Sequence, residues 1–443
     1  MLVTGVGKFT ELGRLRASAD SKDTEKRKNK THLQVLLKEV ATFMGAVGFM
    51  VAAIVAYVVW IRDFFTGDSS NGSREPGSTL EEVIRISIIA VAIFVVSLPE
   101  VLPLALNISR LSSMKKMKAD NILVRRPAVC ETMALCNDAV CDMTGITLDN
   151  VDDVQAGITE MQRAGIKVRL VTHDDPQTAK AIAMECGILA SDGSDASEVI
   201  VEGEVFRLSE PCQRDELAEK ILVMPRSTPD DKLLLVRALR KRGKVVAVTG
   251  SVSNDARALQ EADIGLAMGE QATEVVVESS DIIILDGNFA TVAKGFRWGR
   301  SMHEKVLRVM QQQLTANIVA VTINCLAAVY YGHIPLNAVE FVWVNVIIFG
   351  LGPLVLATEY PAERLMDEPP IDQGQPLTKY IRWKRLLIQV LYQIITLLVI
   401  NFQGGSLLKN DTRDHATKVK NTMIFNTFVI CQISIEFEVR KTG

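Results

Sequence analysis

No CxxC pair occurs among the seven cysteines of this 443-residue chain, and their spacing suggests no even extracellular framework. A disulfide-stapled secreted fold is therefore not expected, and reduced thiols are. No cleavable signal peptide is expected, because the residues before Ala41 are polar and charged. There is little excess charge of either sign. A net charge of −3 gives no reason to expect a polyanionic partner, so nucleic acid is set aside. Repeats and low-complexity segments are missing too. What the chain has in quantity is apolar residue: 48% is hydrophobic and the mean hydropathy is +0.19, although 23% is charged. Those figures fit together if apolar spans alternate with a polar domain.

Six stretches have the length and apolarity of membrane spans, at Ala41–Ile61, Val83–Leu106, Leu307–Tyr331, Val339–Thr358, Leu386–Phe402 and Thr422–Phe437, the last being the least apolar. An even number of spans puts both termini on one side. The Lys/Arg-rich segments Lys22–Lys38, Lys115–Arg126, Arg300–Arg308 and Arg382–Arg385 then share that side, and the positive-inside rule makes it cytosolic. Two of the opposite loops carry N-x-S/T triplets, at Asn71 and Asn410.

Between the second and third spans the pattern changes to short apolar runs separated by amphipathic stretches. Strands are expected at Ala139–Asp142, Lys167–Thr172, Val223–Arg226, Val245–Gly250, Ile264–Met268 and Ile282–Asp286, with helices such as Pro176–Cys186 and Asp230–Arg240 between them. Ser191–Arg207 reads as irregular surface. Alternation of this kind implies a mostly parallel sheet covered on both faces, with its chemistry at the carboxyl ends of the strands. Asp142, Thr172, Arg226 and Thr249-Gly250 all fall at such ends, so the fold is expected to gather them.

Two motifs stand out. Cys141-Asp142-Met143-Thr144-Gly145-Ile146-Thr147-Leu148 places an acidic side chain just past the second span, and that span carries Pro99-Glu100-Val101-Leu102-Pro103. A proline-flanked intramembrane carboxylate points to ion handling. Further along come Pro229-Asp230-Asp231-Lys232, Thr249-Gly250-Ser251-Val252-Ser253-Asn254-Asp255 and Ala262-Asp263-Ile264-Gly265-Leu266-Ala267-Met268-Gly269, then Arg413-Asp414-His415-Ala416-Thr417-Lys418-Val419-Lys420-Asn421-Thr422. In this order, along nearly the whole chain, they resemble the P-type ATPases, and most closely the plant-type autoinhibited calcium-transporting ATPases of the plasma-membrane class.

The resemblance implies a haloacid-dehalogenase-like α/β phosphorylation domain inserted in a transmembrane helical bundle. It implies ATP-driven calcium export through an aspartyl-phosphate, with ATP and Mg²⁺ as cofactors. In this reading Asp142 is the nucleophile and Lys232 contacts the phosphate. Thr172 binds phosphate, Thr144 and Asp142 help hold magnesium, Asn254 and Asp255 support the metal site, and Arg226 and Asp174 lie beside the nucleotide phosphates. Glu100 and Asn345 are the calcium ligands. The expected divisions are residues 1–38 as a cytosolic remnant, 39–110 as a transmembrane hairpin, 111–305 as the phosphorylation domain and 306–443 as the remaining membrane helices. Glu340 and Glu359 are expected at the membrane interface.

The departures are as specific as the matches. The family's DKTGTLT has Met143 for its lysine and Ile146 for its second threonine. Its TGDGxND has Ser251 for the first aspartate, which removes a magnesium carboxylate. Its TGD has His173 for the glycine, a side chain where close backbone approach to phosphate is expected. Val101 replaces the glycine after Glu100, and Phe349 replaces a calcium-site aspartate one turn beyond Asn345. From Asn150 the chain runs directly to Asp152-Asp153-Val154, where the family inserts a nucleotide-binding domain, and no TGES sequence of an actuator domain occurs. The calmodulin-binding autoinhibitory region is expected to be absent. Three readings remain: an impaired pump of this family, a non-catalytic membrane modulator of full-length calcium pumps, and a relic or incomplete gene model. The expected setting is a plasma membrane or endomembrane bilayer, with calcium ion as the family's cargo.

Overall fold

Short β-branched runs bounded by glycine and polar residues form a seven-stranded sheet in the computed structural model of the chain. The model describes residues 32–67, 76–99, 102–142, 151–189, 199–269, 272–346, 359–371, 382–407 and 413–441. The strands are β1 (Ile122–Val124), β2 (Asp138–Cys141), β3 (Lys167–Val171), β4 (Val223–Met224), β5 (Val246–Gly250), β6 (Ile264–Met268) and β7 (Ile282–Ile284), in the spatial order β1-β7-β6-β5-β2-β3-β4. All neighbours pair in parallel except β1, which runs antiparallel to β7. From β2 the chain builds outward to β3 and β4, then returns to lay β5 on β2's other side. The crevice between the carboxyl ends of β2 and β5 is therefore the topological switch point of the sheet.

Alternating side chains cover both faces. Ala139, Cys141, Val168, Leu170, Ala247, Leu266 and Ile284 share one apolar layer with Val154, Ile158, Phe289 and Phe296. Val140, Val171, Met224, Val246, Val248 and Ala267 share the other with Phe206, Leu235, Leu239 and Leu259. Phe206 lies on a helix, Gly203–Leu208, and is fully buried. This corrects the expectation of irregular surface over Ser191–Arg207, of which residues 191–198 lie outside the described residues. A six-residue helix is too short to show a period in sequence.

Compactness divides the chain into two units. The sheet and its helices belong to one, which contains Arg110–Glu304 and also Tyr360–Gly374. In that unit the Arg300 guanidinium donates to the backbone oxygens of Leu365 (2.8 Å), Glu368 (2.5 Å) and Ala164 (2.6 Å), holding the Tyr360–Ile371 segment against the α/β layers.

The second unit is helical and comprises Gln34–Ser109, Lys305–Glu359 and Gln375–Gly443. Among the described residues three helices are long and apolar enough to cross a membrane, at Leu37–Arg62, Phe289–Tyr331 and Trp383–Gln403, and Val83–Ser97 is a shorter apolar helix. Six spans were expected. The fourth falls partly on 347–358, outside the described residues, and the sixth lies in Arg413–Lys441, a helix too polar to qualify by composition. The interior of this unit is built from Val96, Ala316, Val319, Ile323, Phe341, Leu386, Leu397 and Phe428. Glu340 serves as the capping partner of Asn337, at the start of the helix Ala338–Val344. The Glu359 carbonyl accepts from Lys305 at 2.8 Å.

Inside the sheet one ion pair is sealed between strands. Arg169 on β3 donates to Asp138 Oδ1 on β2 at 2.9 and 2.8 Å, and the two residues are 1% and 2% exposed. Removing one partner strands the other charge in an apolar layer, at a cost of about 3–5 kcal/mol. Asp138→Asn is expected to lower the unfolding free energy of the α/β unit by that amount, measured by urea titration with limited proteolysis. Asp215→Asn, on the exposed Lys241 pair, is expected to change it by about 0–1 kcal/mol.

Candidate active site at the switch point

Asp142 follows β2 and is half-buried, and its backbone N–H donates to Thr249 Oγ1, near the end of β5, at 3.3 Å. That bond ties together the two strand ends that flank the crevice. On the other side of Thr249 the chain makes a tight passage. A Cβ on Gly250 would lie 2.7 Å from Asp255 Cβ, so only glycine lets Asp255 pack beneath the strand end.

Lys232 comes from the first turn of the helix Pro229–Lys241. Proline opens this helix, Thr228 caps it, and Asp231 completes a capping box. Asp231 is fully buried and takes a two-pronged hydrogen bond from Arg207 at 2.9 and 3.0 Å, which anchors the turn that carries Lys232. The Lys232 ammonium is 3% exposed and donates to Asp255 Oδ1 and to the Thr249 carbonyl, each at 2.9 Å. Asp255 Oδ2 accepts from the Ser251 N–H at 3.3 Å. Both oxygens of Asp255 are thus engaged by the protein. Burial pushes the Cys141 thiol, next to Asp142, up to about 12, opposed in part by the Lys232 charge and the Thr249 hydroxyl. It stays a protonated packing group.

Along the β3 and β4 ends, Thr172 Oγ1 donates to Asp174 Oδ2 at 2.7 Å, and the Thr172 carbonyl accepts from both the N–H and the hydroxyl of Ser227. Arg226 holds a left-handed backbone (φ 46°), rare for a side chain of its size, and its guanidinium pairs with Asp175. The backbone N–H of Arg226 donates to the Asp174 carbonyl at 2.9 Å. His173 is exposed, and its Nδ1 meets the carbonyl oxygen of Ser227. Asn254 is exposed on the short turn Ser253–Asp255.

Of the residues expected here, the structure brings Asp142, Lys232 and Asp255 together through Thr249 and Gly250. It groups Thr172, Asp174 and Arg226 on the neighbouring strand ends. Thr144, with Met143 and Ile146, lies outside the described residues. For magnesium the fit is poor. Asp255 already holds the lysine and the Ser251 N–H, and position 251 offers a hydroxyl instead of a carboxylate.

In the helical unit, Asn345 is buried, and its Oδ1 accepts from Gln313 Nε2 at 3.4 Å. The same amide donates to Asn317 Oδ1 at 3.1 Å, and Asn317 Nδ2 donates to the Ser97 carbonyl at 3.3 Å. That carbonyl belongs to the last residue of the helix Pro76–Ser97, where intrahelical partners run out. Gln313 Oε1 is buried with no hydrogen-bond partner. Glu100, Val101 and Phe349 lie outside the described residues. Sequence reasoning missed Gln313 and Asn317, although two amides four residues apart in an apolar run were a legible sign of one polar face.

A family model for haloacid dehalogenase-like hydrolases matches residues 121–263, and one for the C-terminus of cation-transporting ATPases matches residues 333–443. Calcium-transporting ATPase 5, plasma membrane-type, of Oryza sativa subsp. japonica is 36% identical over 652 aligned positions, which cover all of this chain and 59% of that protein. Calcium-transporting ATPase 10, plasma membrane-type, of Arabidopsis thaliana is also 36% identical, over 100% of this chain and 60% of its own length. A putative calcium-transporting ATPase 13 of the same plant is 50% identical over 288 positions, 65% of this chain. The chain therefore spans less than two thirds of the length of the curated relatives it matches. Because 652 aligned positions meet only 443 residues, a large internal part of the rice protein has no counterpart here.

The ion pair at the switch point is open to test. Lys232→Met leaves Asp255 buried without its cation and is expected to cost about 3–5 kcal/mol. Adding Asp255→Leu is expected to recover most of that loss in the same denaturation assay.

Proposed function

Because the chain belongs to the P-type ATPase family, among the plant plasma-membrane-type calcium pumps, we propose that it is a calcium-transport membrane protein whose own ATP-driven cycle is silent. The observation that carries this reading is the state of the switch-point crevice. Asp142, Lys232 and Asp255 are present and assembled, but position 251 is a serine and Asp255 is engaged by Lys232 and the Ser251 N–H. Phosphoryl transfer depends on positive charge placed around the transferring group. One carboxylate of the magnesium site is missing and Met143 stands where the family has a lysine, so that charge is deficient. The large alignment gap fits the direct passage from Asn150 to Asp152, where the family carries its nucleotide-binding domain.

The ion path is likewise incomplete in this reading. Glu100 and Asn345 are the remaining family ligands, and Phe349 puts a ring where an aspartate belongs. A membrane bundle kept without a working cycle favours a second reading, a modulator that pairs with full-length calcium pumps through its helices. Its expected setting is the plasma membrane or an endomembrane, with both termini cytosolic.

Three measurements test this. After carbonate extraction at high pH the chain is expected to stay in the membrane pellet, and release into the supernatant would contradict it. Incubation of the purified chain with ATP, Mg²⁺ and Ca²⁺ is expected to give neither calcium-stimulated hydrolysis nor an acid-stable phosphoprotein. A hydroxylamine-labile phosphoprotein that disappears in Asp142→Asn would overturn the silent-cycle reading. Finally, Met143→Lys with Ser251→Asp is expected to raise magnesium-dependent phosphorylation by acetyl phosphate at least tenfold, about 1.4 kcal/mol of transition-state stabilisation. Calcium uptake into vesicles is expected to stay at background in the same variant. If that repair has no effect, His173→Gly is the next substitution to add.

A further inference from the structure

All three candidate spans have an end marked by one group of side chains: Leu37–Arg62 stops at Arg62, Phe289–Tyr331 at Tyr331, and Trp383–Gln403 one residue past Phe402. Tyr57, Trp60 and Tyr330 are exposed near these ends, the amphipathic aromatics expected at the level of lipid headgroups. Arg62 Nη1 donates to the Val329 carbonyl at 3.1 Å and to the Ala328 carbonyl at 3.4 Å. Its guanidinium presses against Gly332, where a Cβ would lie 2.5 Å from Nη2 and where φ is +72°. The next residue is His333. Its ring stacks on Tyr331 with centroids 5.7 Å apart and planes 16° apart, and its buried Nδ1 has no hydrogen-bond partner among the described residues. Lys420 places its Nζ 4.3 Å from the centroid of the same tyrosine ring. Phe402 closes the cluster against Tyr330 and Tyr331.

Lys420 is 8% exposed, and among the described residues its ammonium makes no ion pair or hydrogen bond. An aromatic face returns only part of the hydration that a buried ammonium loses. Burial lowers the affinity of His333 for a second proton, with Lys420 and Arg62 adding to the effect, and burial lowers that of Lys420. A backbone hydrogen bond at His333 opposes part of that shift. Lys420 over the Tyr331 ring and Arg62 against Gly332 place both basic side chains on the residues just before His333. An ammonium without an anion, an imidazole nitrogen without a partner and a nearby guanidinium together lack one thing, a compact acceptor of several hydrogen bonds.

We propose that Lys420, His333 Nδ1 and Arg62 form a site for a phosphate-class oxyanion, supplied by a lipid headgroup or by free phosphate. Lys420 supplies the charge, the imidazole supplies a directed donor, and Arg62 flanks them while it satisfies the end of the helix. The site is independent of the phosphorylation chemistry at Asp142.

The test uses the purified full chain in mild detergent. Native mass spectrometry with phosphatidylglycerol and phosphatidylcholine of equal acyl chains is expected to show several-fold preferential retention of the anionic lipid. Lys420→Gln is expected to abolish the preference and Lys420→Arg to keep it. His333→Phe, which retains the ring stack and removes the donor, is expected to weaken it, and it serves as the readout if Lys420→Gln fails to fold. A thermal shift with millimolar inorganic phosphate that Lys420→Gln removes, without lipid preference, would assign the site to free phosphate. If the native chain shows neither lipid preference nor a phosphate shift, the proposal is wrong. It is equally wrong if the lipid preference is unchanged in both Lys420→Gln and His333→Phe.

Discussion

The buried ammonium of Lys232 organises the carboxyl end of the sheet. It joins a helix to β5 by bonding the Thr249 carbonyl and the Asp255 carboxylate together, and through Thr249 that link reaches the backbone of Asp142 on β2. Such a pair is retained only where its geometry is good, because two charges taken out of water lose their hydration. Here the geometry is secured from outside the pair. Arg207 fixes Asp231 and the capping box fixes the first turn, while the missing side chain of Gly250 makes room for Asp255. The consequence is chemical as well as structural. A carboxylate engaged with a lysine and a backbone N–H is not available to a cation, and Ser251 supplies no second one.

Neutral hydrogen bonding marks the interior of the helical unit. Gln313, Asn317 and Asn345 join into a chain of amides that ends on the Ser97 carbonyl. In an apolar bundle an amide chain satisfies orphan backbone groups at less cost than a carboxylate would. It orders helix ends but offers little negative charge to a divalent cation. In both units, then, buried polar side chains are held by hydrogen bonds from the protein itself.

Much of this was legible in advance. Each of the six strands expected from short apolar runs was found within a residue or two of its bounds, because parallel strands buried on both faces are nearly uninterrupted in apolar residues. The strand-end positions of Asp142, Thr172, Arg226 and Gly250 followed from the same pattern. What escaped reading was short or unperiodic: the three-residue antiparallel β1, the helix that buries Phe206, and the segment Tyr360–Ile371 that joins the α/β unit through Arg300. The expectation of six spans rested on hydropathy alone, and only three helices among the described residues meet the length and composition of a span.

Sequence alone determined the alternation of strand and helix, the apolar spans, and which residue types stand at the strand ends, since these depend on periodicity and local composition. Tertiary structure decided what each of those residues does with its polar atoms. Lys232 meets Asp255 from 23 positions away, Gln313 meets Asn345 from 32, and Asn317 reaches Ser97 across 220. The His173 ring meets the Ser227 carbonyl, 54 positions along the chain. A hydrogen-bond partner is chosen by proximity in space and by the cost of leaving a buried group unmade, and neither is written in the local order of residues.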